Sequence, residues 1–561
     1  MKSRLRLRPE SGLRTVLLLA ALALGGCAPS SYDGLAGGSK EDENLAAPRQ
    51  VSPISVSLIA SKRPRLRWDL GLTLTGAVVE MSRTREFDKE VKTFAAKGSE
   101  MVVPEDLELG IWFWRLKGDA SGSVGTRTSA VWEMLVRGPA AHGSSDTPTG
   151  ALVDMNGDGE PDLILAGTVS DVDEKGNTPL VPQGPTAQEP APGMPGTPPA
   201  TGPLLMLYNG DRERGLVEGD AVYFGPSAYE GPISLGGGTD FNGDGLTDLI
   251  HSGIIAGVYE NKPFYGVDLV PGSADKKLTF DLDRSEALYL RDQTTLPTVH
   301  EGADVDGDGF GDAVIGVRDT GFLVLGVSPG GHSPFLPVYP TEPGAGSRIA
   351  MGGFDANGDG LADVAFSLSD EYAPNARAFV APGNRSQRIG EATRIDGPDA
   401  QRATAFAAGD FNGDGIDDLA ITTPVNDSSR VCIWFGSREK LVVQGPCVMA
   451  APGDTDFGAS LTAGDLEGDG TDELLATTRS GGVDGVRVVR IGGDGAAAAT
   501  PIGLPGLGVS LTTIWPGRPG KARWAAVASD GSSIGIFEGA DLRMSLPPPP
   551  GVIRGFGRGL R

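Results

Sequence analysis

A chain of 561 residues with a net charge of −25, 84 Gly, 42 Pro and 6% aromatic residues is too long for one small core and too rich in turn formers for a helical enzyme. Many short strands joined by tight turns are expected instead. The acidity excludes nucleic acid and anionic membrane surfaces as partners, since both are recognised through basic patches.

Residues 1–27 carry a targeting pattern. Lys2, Arg4, Arg6, Arg8 and Arg14 precede an apolar stretch, Val16 to Leu24, that is too short to span a bilayer. It ends in Leu24-Gly25-Gly26-Cys27, which resembles the bacterial lipobox and implies acylation of Cys27 as the mature N-terminus; the alternative is ordinary cleavage beside an incidental Cys. Ala28 resembles the residue that sends lipoproteins to the outer membrane. The expected location is therefore the bacterial cell envelope, with the membrane met only through the lipid and an oxidising compartment around the body.

Residues 28–50 lack periodic apolar positions and read as a flexible tether. Residues 51–138 alternate in short runs, among them Pro64-Arg-Leu-Arg-Trp68, Ile111-Trp-Phe-Trp-Arg-Leu116 and Ala130-Val-Trp-Glu-Met-Leu135. That two-residue period suits antiparallel strands with one buried face, so a small β-sandwich is expected. The pattern is similar to fibronectin type III or immunoglobulin-like modules, with Trp68 and Trp114 as core aromatics. Trp112, Trp114 and Trp132 pack in the core on this reading; a carbohydrate platform is the alternative. Residues 168–203 hold a proline-rich insertion that cannot build a core and is expected to protrude.

One nine-residue pattern recurs six times, giving loops 1 to 6. Its first places are Asp154, Asp240, Asp304, Asp355, Asp410 and Asp465, and its third Asn156, Asn242, Asp306, Asn357, Asn412 and Glu467. The fifth are Asp158, Asp244, Asp308, Asp359, Asp414 and Asp469; the seventh Glu160, Leu246, Phe310, Leu361, Ile416 and Thr471; the ninth Asp162, Asp248, Asp312, Asp363, Asp418 and Glu473. Calcium takes roughly six to eight hard oxygens, and such a loop offers side-chain oxygens at one, three, five and nine and a backbone carbonyl at seven. Gly at four and six supplies the left-handed backbone that wraps an ion. An EF-hand would need an acid at place twelve, where Leu165, His251, Ile315, Phe366, Ile421 and Ala476 stand. Plain hairpin turns would need the glycines but have no use for three converging carboxylates that repel one another. About six calcium sites are therefore expected, and they account for much of the acidity.

A strand follows every loop, and the later repeats lie 55 residues apart, the length of a four-stranded blade. At these residues the chain resembles the FG-GAP, or VCBS, repeat family of integrin α-like propellers, notably in Phe457-Gly-Ala-Ser-Leu-Thr-Ala-Gly-Asp465 and Ala408-Gly-Asp410. A degenerate seventh copy aligns Leu507–Trp515 with Phe457–Asp465 and puts Trp515, Gly517, Pro519 and Arg523 where loop 6 has its acids, which excludes calcium there. The expected fold is all-β: a seven-bladed β-propeller over 149–546, preceded by the sandwich and followed by a disordered tail, 547–561.

Cys432 and Cys447 would face each other across a hairpin, and a disulfide is expected in an oxidising compartment. No catalytic triad, phosphate loop or zinc spacing is found. The function read from the sequence is a monomeric binding or scaffold protein with no catalytic residues. The family resemblance implies that an unidentified protein or polysaccharide docks opposite the calcium loops. The alternatives are a calcium-dependent enzyme acting on polysaccharide and a structural spacer.

Overall fold

In the computed structural model, the described residues are 40–138, 148–170, 201–223, 234–259, 262–278, 289–291, 298–300, 303–317, 321–328, 331–332, 336–338, 346–369, 377–395, 403–425, 428–492, 495–517, 519–548 and 552–554. All regular structure among them is β. The signal segment with Cys27, and residues 171–200 of the proline-rich insertion, lie outside them.

The alternating runs of the first domain fold into two facing sheets. One has eight strands, with Trp132–Val136 between Gly110–Ala120 and Ser57–Ile59; the other has three, Arg49–Ser52, Arg65–Asp69 and Glu100–Val102. Both contribute to one core, in which Leu66 and Trp68 from the small sheet meet Val79, Trp112, Trp114, Trp132 and Met134 from the large one. All four Trp side chains are buried, and Trp114 and Trp132 meet edge to face at 5.7 Å. They pack the core, and none offers a face to a sugar.

The sandwich starts earlier than its apolar alternation indicates. Lys40–Asp42 adds an edge strand to the large sheet, and Arg49–Ser52 pairs with Arg65–Asp69. The first lies wholly, and the second by its first two residues, in the stretch read as a tether. Lys-Glu-Asp has no apolar period to betray a strand, because an edge strand is held by backbone bonds alone.

Seven successive sheets of four or five strands follow among the described residues, with a two-stranded sheet, Gly383–Asn384 and Arg388–Ile389, within the fourth repeat. Blade 5 shows the plan: Ala405–Gly409, Asp418–Val425, Ser428–Ser437 and Leu441–Met449 form an antiparallel meander, with loop 5 joining the first two strands. A sheet with two apolar faces must be covered on both, and here each is covered by its neighbours. Separate buried clusters join blades 1 and 2, 2 and 3, 3 and 4, 4 and 5, 5 and 6, and 6 and 7. A further cluster of 11 buried residues packs Leu163, Leu165 and Met206 of blade 1 on Ala525, Val527 and Ile536 of blade 7. The ring is thereby closed. At about 1.5–3 kcal/mol per buried large side chain, these seams hold the propeller together.

Closure also involves the backbone. The order in blade 1 is Gly215–Tyr223, Thr201–Asp211, Leu163–Ser170 and then Val552–Arg554. The strand ahead of loop 1, Pro148–Ala151, instead pairs with Ser57–Ile59 of the sandwich, so the last strand of the chain takes the place it leaves. Part of the segment read as a disordered tail is therefore a strand. Its Pro- and Gly-rich composition hides this because the ladder, not its own side chains, fixes it.

Cys432 and Cys447 are directly paired in blade 5, with a Cα–Cα distance of 4.0 Å, and are joined as a disulfide. Replacing both by Ser reopens a loop of 15 residues and is expected to cost about 3 kcal/mol in oxidised protein. Urea unfolding of the two forms checks this, and equal midpoints would refute it.

Candidate metal centres

In each of the six loops the side chains fold the backbone before any ion is considered. The first-place carboxylate accepts backbone N–H groups from the turn it faces: Asp240 takes those of Gly243 at 2.6 Å, Asp244 at 3.1 Å and Gly245 at 2.7 Å. The third-place oxygen accepts from place five in loops 1 to 5, and the fifth-place carboxylate from place seven in all six. The ninth-place carboxylate reaches back to the N–H of place two, at 2.8–2.9 Å in every loop. These interlocked Asx turns need positive φ at places four and six, where Gly243 and Gly245 stand at 77° and 91°.

The loops are also sewn to one another, which sequence spacing did not reveal. The N–H of place eight donates to the carbonyl of place one in the preceding loop: Thr247 to Asp154, Gly311 to Asp240, Ala362 to Asp304, Asp417 to Asp355, Asp472 to Asp410, and Ala522 of the degenerate copy to Asp465, all at 2.8–3.2 Å. Where place eight has an oxygen it closes a second bond, as Asp417 does to the N–H of Asp355 at 3.0 Å. Place seven acts through its side chain too. Leu246, Phe310 and Leu361 are buried against Gly157, Gly243 and Gly307 of the preceding loop, and a Cβ on those glycines would come within 2.5–2.8 Å of them. Gly at place four is thus required for space as well as for φ.

Negative charge is what the loops leave unsettled. In loop 3 one oxygen each from Asp304, Asp306 and Asp312 lies within 4.8 Å of the others, the one such group of three acids among the described residues. Asp312 Oδ1 is buried there without a hydrogen-bond partner. That donor set fits a hard divalent cation. Elsewhere the third place is mostly an amide, and protein cations meet some of the acids. Lys276 Nζ is 2.8 Å from Asp158 in loop 1, and in loop 6 Arg490 is 2.9 Å from Glu467 and 3.4 Å from Glu473. In the degenerate copy Arg523 lies 5.7 Å from the Trp515 ring, so a cation–π contact stands where the first and ninth acids would be.

Burial, and after it the neighbouring carboxylates, push the first-place acids upward: Asp154 and Asp355 to about 6, Asp240 and Asp410 to about 7, Asp304 to about 8. The ninth-place acids Asp162, Asp248, Asp312, Asp363 and Asp418 rise well above the ordinary range for the same reasons. At pH values below these, metal-free loops would hold protons where a cation would otherwise offset the charge.

The sandwich sits on the loop end of the ring. Arg49 donates to the carbonyl of Asp308 at 2.6 Å, Ser55 Oγ to that of Gly245 at 3.0 Å, and Val131 lies so close to Gly245 that no Cβ would fit. Arg137 pairs with Asp472 at 2.6 Å, and both side chains are largely buried. Leu58 and Leu135 pack with Leu152 and Trp515. The Trp that replaced an acid in the degenerate loop is thus an apolar foot for the sandwich. Glu133, wholly buried beside Asp154, is a site residue missed from the sequence, although an acid inside the apolar run Val131–Val136 was its signal.

In chelator the folded protein keeps protons on these acids that the unfolded chain, titrating at the ordinary 3.8, has released. This contribution to stability is full below about pH 4 and is lost as pH rises through about 6 to 8. The melting temperature in chelator should therefore fall from about pH 5.5 to 8.5, and millimolar calcium should abolish the fall; a flat or rising profile in chelator would contradict the assignment. Arg137→Ala strands Asp472 in the seam and is expected to cost about 3 kcal/mol, readable by denaturant unfolding.

The FG-GAP repeat family matches residues 403–434, which span loop 5 and its flanking strands. Integrin alpha-7 of Mus musculus is 30% identical over 131 residues, 22% of this chain and 11% of the integrin, and that of Rattus norvegicus is 29% identical over 131 residues, 22% and 12%. The chain thus matches about a tenth of the length of these relatives. Among solved structures, the Dos1 propeller aligns over 65% of this chain and 81% of its own at 9% identity with a TM-score of 0.35. BBS1N in complex with ARL6DN aligns over 62% and 89% at 10% identity with a TM-score of 0.32. Loop 5 and its flanking strands thus match the FG-GAP repeat, the same loop pattern recurs on successive blades, and the chain is similar to integrin α over the matched stretch.

Proposed function

We propose that the protein is a calcium-binding, lipid-anchored propeller of the bacterial envelope that acts as a binding scaffold for a protein or polysaccharide partner, without catalysis. The observation that carries the ion is the convergence of Asp304, Asp306 and Asp312 around a buried, unpartnered oxygen, in a loop whose pattern recurs six times. At such a site Asp304, Asp306, Asp308 and Asp312 would hold the cation, with the Phe310 carbonyl as the backbone ligand. The cation would supply only charge and a geometric lock. Loop 6 is expected to bind weakest, since Arg490 already meets two of its acids.

The binding role is supported by the FG-GAP repeat and the integrin likeness. The sandwich occupies the loop end, which leaves the other end for a macromolecule. The proline-rich stretch falls between Leu163–Ser170 and Thr201–Asp211, and so leaves blade 1 at that other end. Anchoring at Cys27 is supported by the lipobox and the short apolar run before it.

Calorimetric titration of the purified full chain is expected to show several calcium sites and a melting temperature raised by several degrees over that in chelator. An array of envelope proteins and glycans, probed with and without chelator, is expected to give a calcium-dependent partner. No bound calcium and identical melting would sink the ion reading, and an array without any partner would favour a spacer.

A further inference from the structure

We propose that Glu133, a residue of the sandwich, completes the ion site of loop 1, so that one divalent cation staples the two domains. The inference rests on the calcium reading of the loops and adds a ligand from outside them. Glu133 lies in the strand Trp132–Val136, which is buried throughout, and is itself 0% exposed. Neither of its carboxylate oxygens meets a hydrogen-bond donor, and the group they face is the carboxyl of Asp154, with which only a shared proton or a cation could join them. Its backbone is fixed, because its N–H donates to Ser55 Oγ at 3.0 Å and its carbonyl accepts from Val56 at 2.8 Å. The side chain is therefore held in place with nothing to bind except what lies before it, and that is Asp154, itself 1% exposed.

Two buried carboxylates side by side are costly unless a cation or a shared proton lies between them, and above the range in which they hold that proton only a cation relieves them. The Arg85 guanidinium lies between the two loops, against Gly157 of loop 1 and donating to the carbonyl of Gly245 in loop 2 at 3.3 Å, and it makes no hydrogen bond to Glu133. Loop 1 also has a deficit for Glu133 to fill. One oxygen of Asp158 is engaged by Lys276 and the other accepts the N–H of Glu160, while the Asn156 amide lies on Asp162. With its fifth-place acid shared and an amide at place three, the loop is short of anionic oxygens for a hard cation. A carboxylate from the sandwich restores the count.

The test compares the full chain with E133Q, which keeps the shape and removes the charge, and with D154N, which disables loop 1. Calcium titration should show one site weakened by about tenfold or more in E133Q, the scale of losing even an outer partner of a metal. The same site should be lost in D154N and the rest unchanged. In chelator E133Q should melt no lower than the parent, because it has shed a buried charge, and in calcium it should gain less. Hydrogen exchange should show calcium protecting residues 131–137 in the parent and not in E133Q. A site lost in D154N but untouched in E133Q, or an E133Q equally destabilised with and without calcium, would overturn the proposal alone. A titration unchanged in both variants would overturn the ion reading of loop 1 and the proposal with it.

Discussion

Burial of carboxylates, sharpened by their mutual repulsion in a confined space, is the constraint from which the rest of this structure follows. Each loop turns its acids inward by giving their oxygens backbone N–H groups to accept, and those bonds fix direction without neutralising charge. Asp240 accepts three N–H groups and is nonetheless pushed up to about 7. Partial charges on amides offset part of the desolvation, but a full opposite charge or a proton must supply the remainder. The fold's stability is thereby linked to whatever cation is present.

The loops answer that constraint differently, in ways that track their sequences. Loops 3 and 6 both have an acid at every oxygen place, and among the described residues three carboxylates converge in loop 3, whereas Arg490 meets two of the acids of loop 6. Loop 1 recruits Lys276 from blade 2, and loop 6 recruits Arg490 from its own blade. The degenerate copy has gone further, placing Arg523 under Trp515 and using the indole against the sandwich. The same turn that holds acids elsewhere holds an apolar foot there. All these turns remain in one ring because the bond from place eight to the previous place one depends on backbone only, and it persists at Ala522 where the acids are gone.

Much of this was legible in the sequence because the loop chemistry is local. Asp, Gly and spacing define a turn that closes on itself, and the strand after each loop announces a blade. What escaped was fixed by partners far along the chain. Lys40–Asp42 and Val552–Arg554 become strands only because an open edge is offered to them, and neither has an apolar period of its own. Place seven was read for its carbonyl, yet Leu246 and Phe310 also cover the glycine of the loop before. Glu133 stood in plain view inside Val-Trp-Glu-Met-Leu-Val, where alternation treats it as one outward residue of a half-buried strand; that strand is instead buried on both faces, one by its own core and the other by the propeller.

That second face bears on what the molecule can do. A propeller gives a ligand two ends, and the sandwich takes the loop end by inserting polar groups between loops: Arg49 at loop 3, Ser55 at loop 2, Glu133 at loop 1 and Arg137 at loop 6. These contacts reach loops on four different blades, so the sandwich cannot tilt toward one blade without breaking contacts at another. On the proposed calcium reading of the loops, a seam built on them should be rigid when their charge is satisfied and weaker when it is not. The position of the N-terminal domain, and through it the direction in which the free end of the ring points, then becomes a property of the ionic medium as much as of the chain.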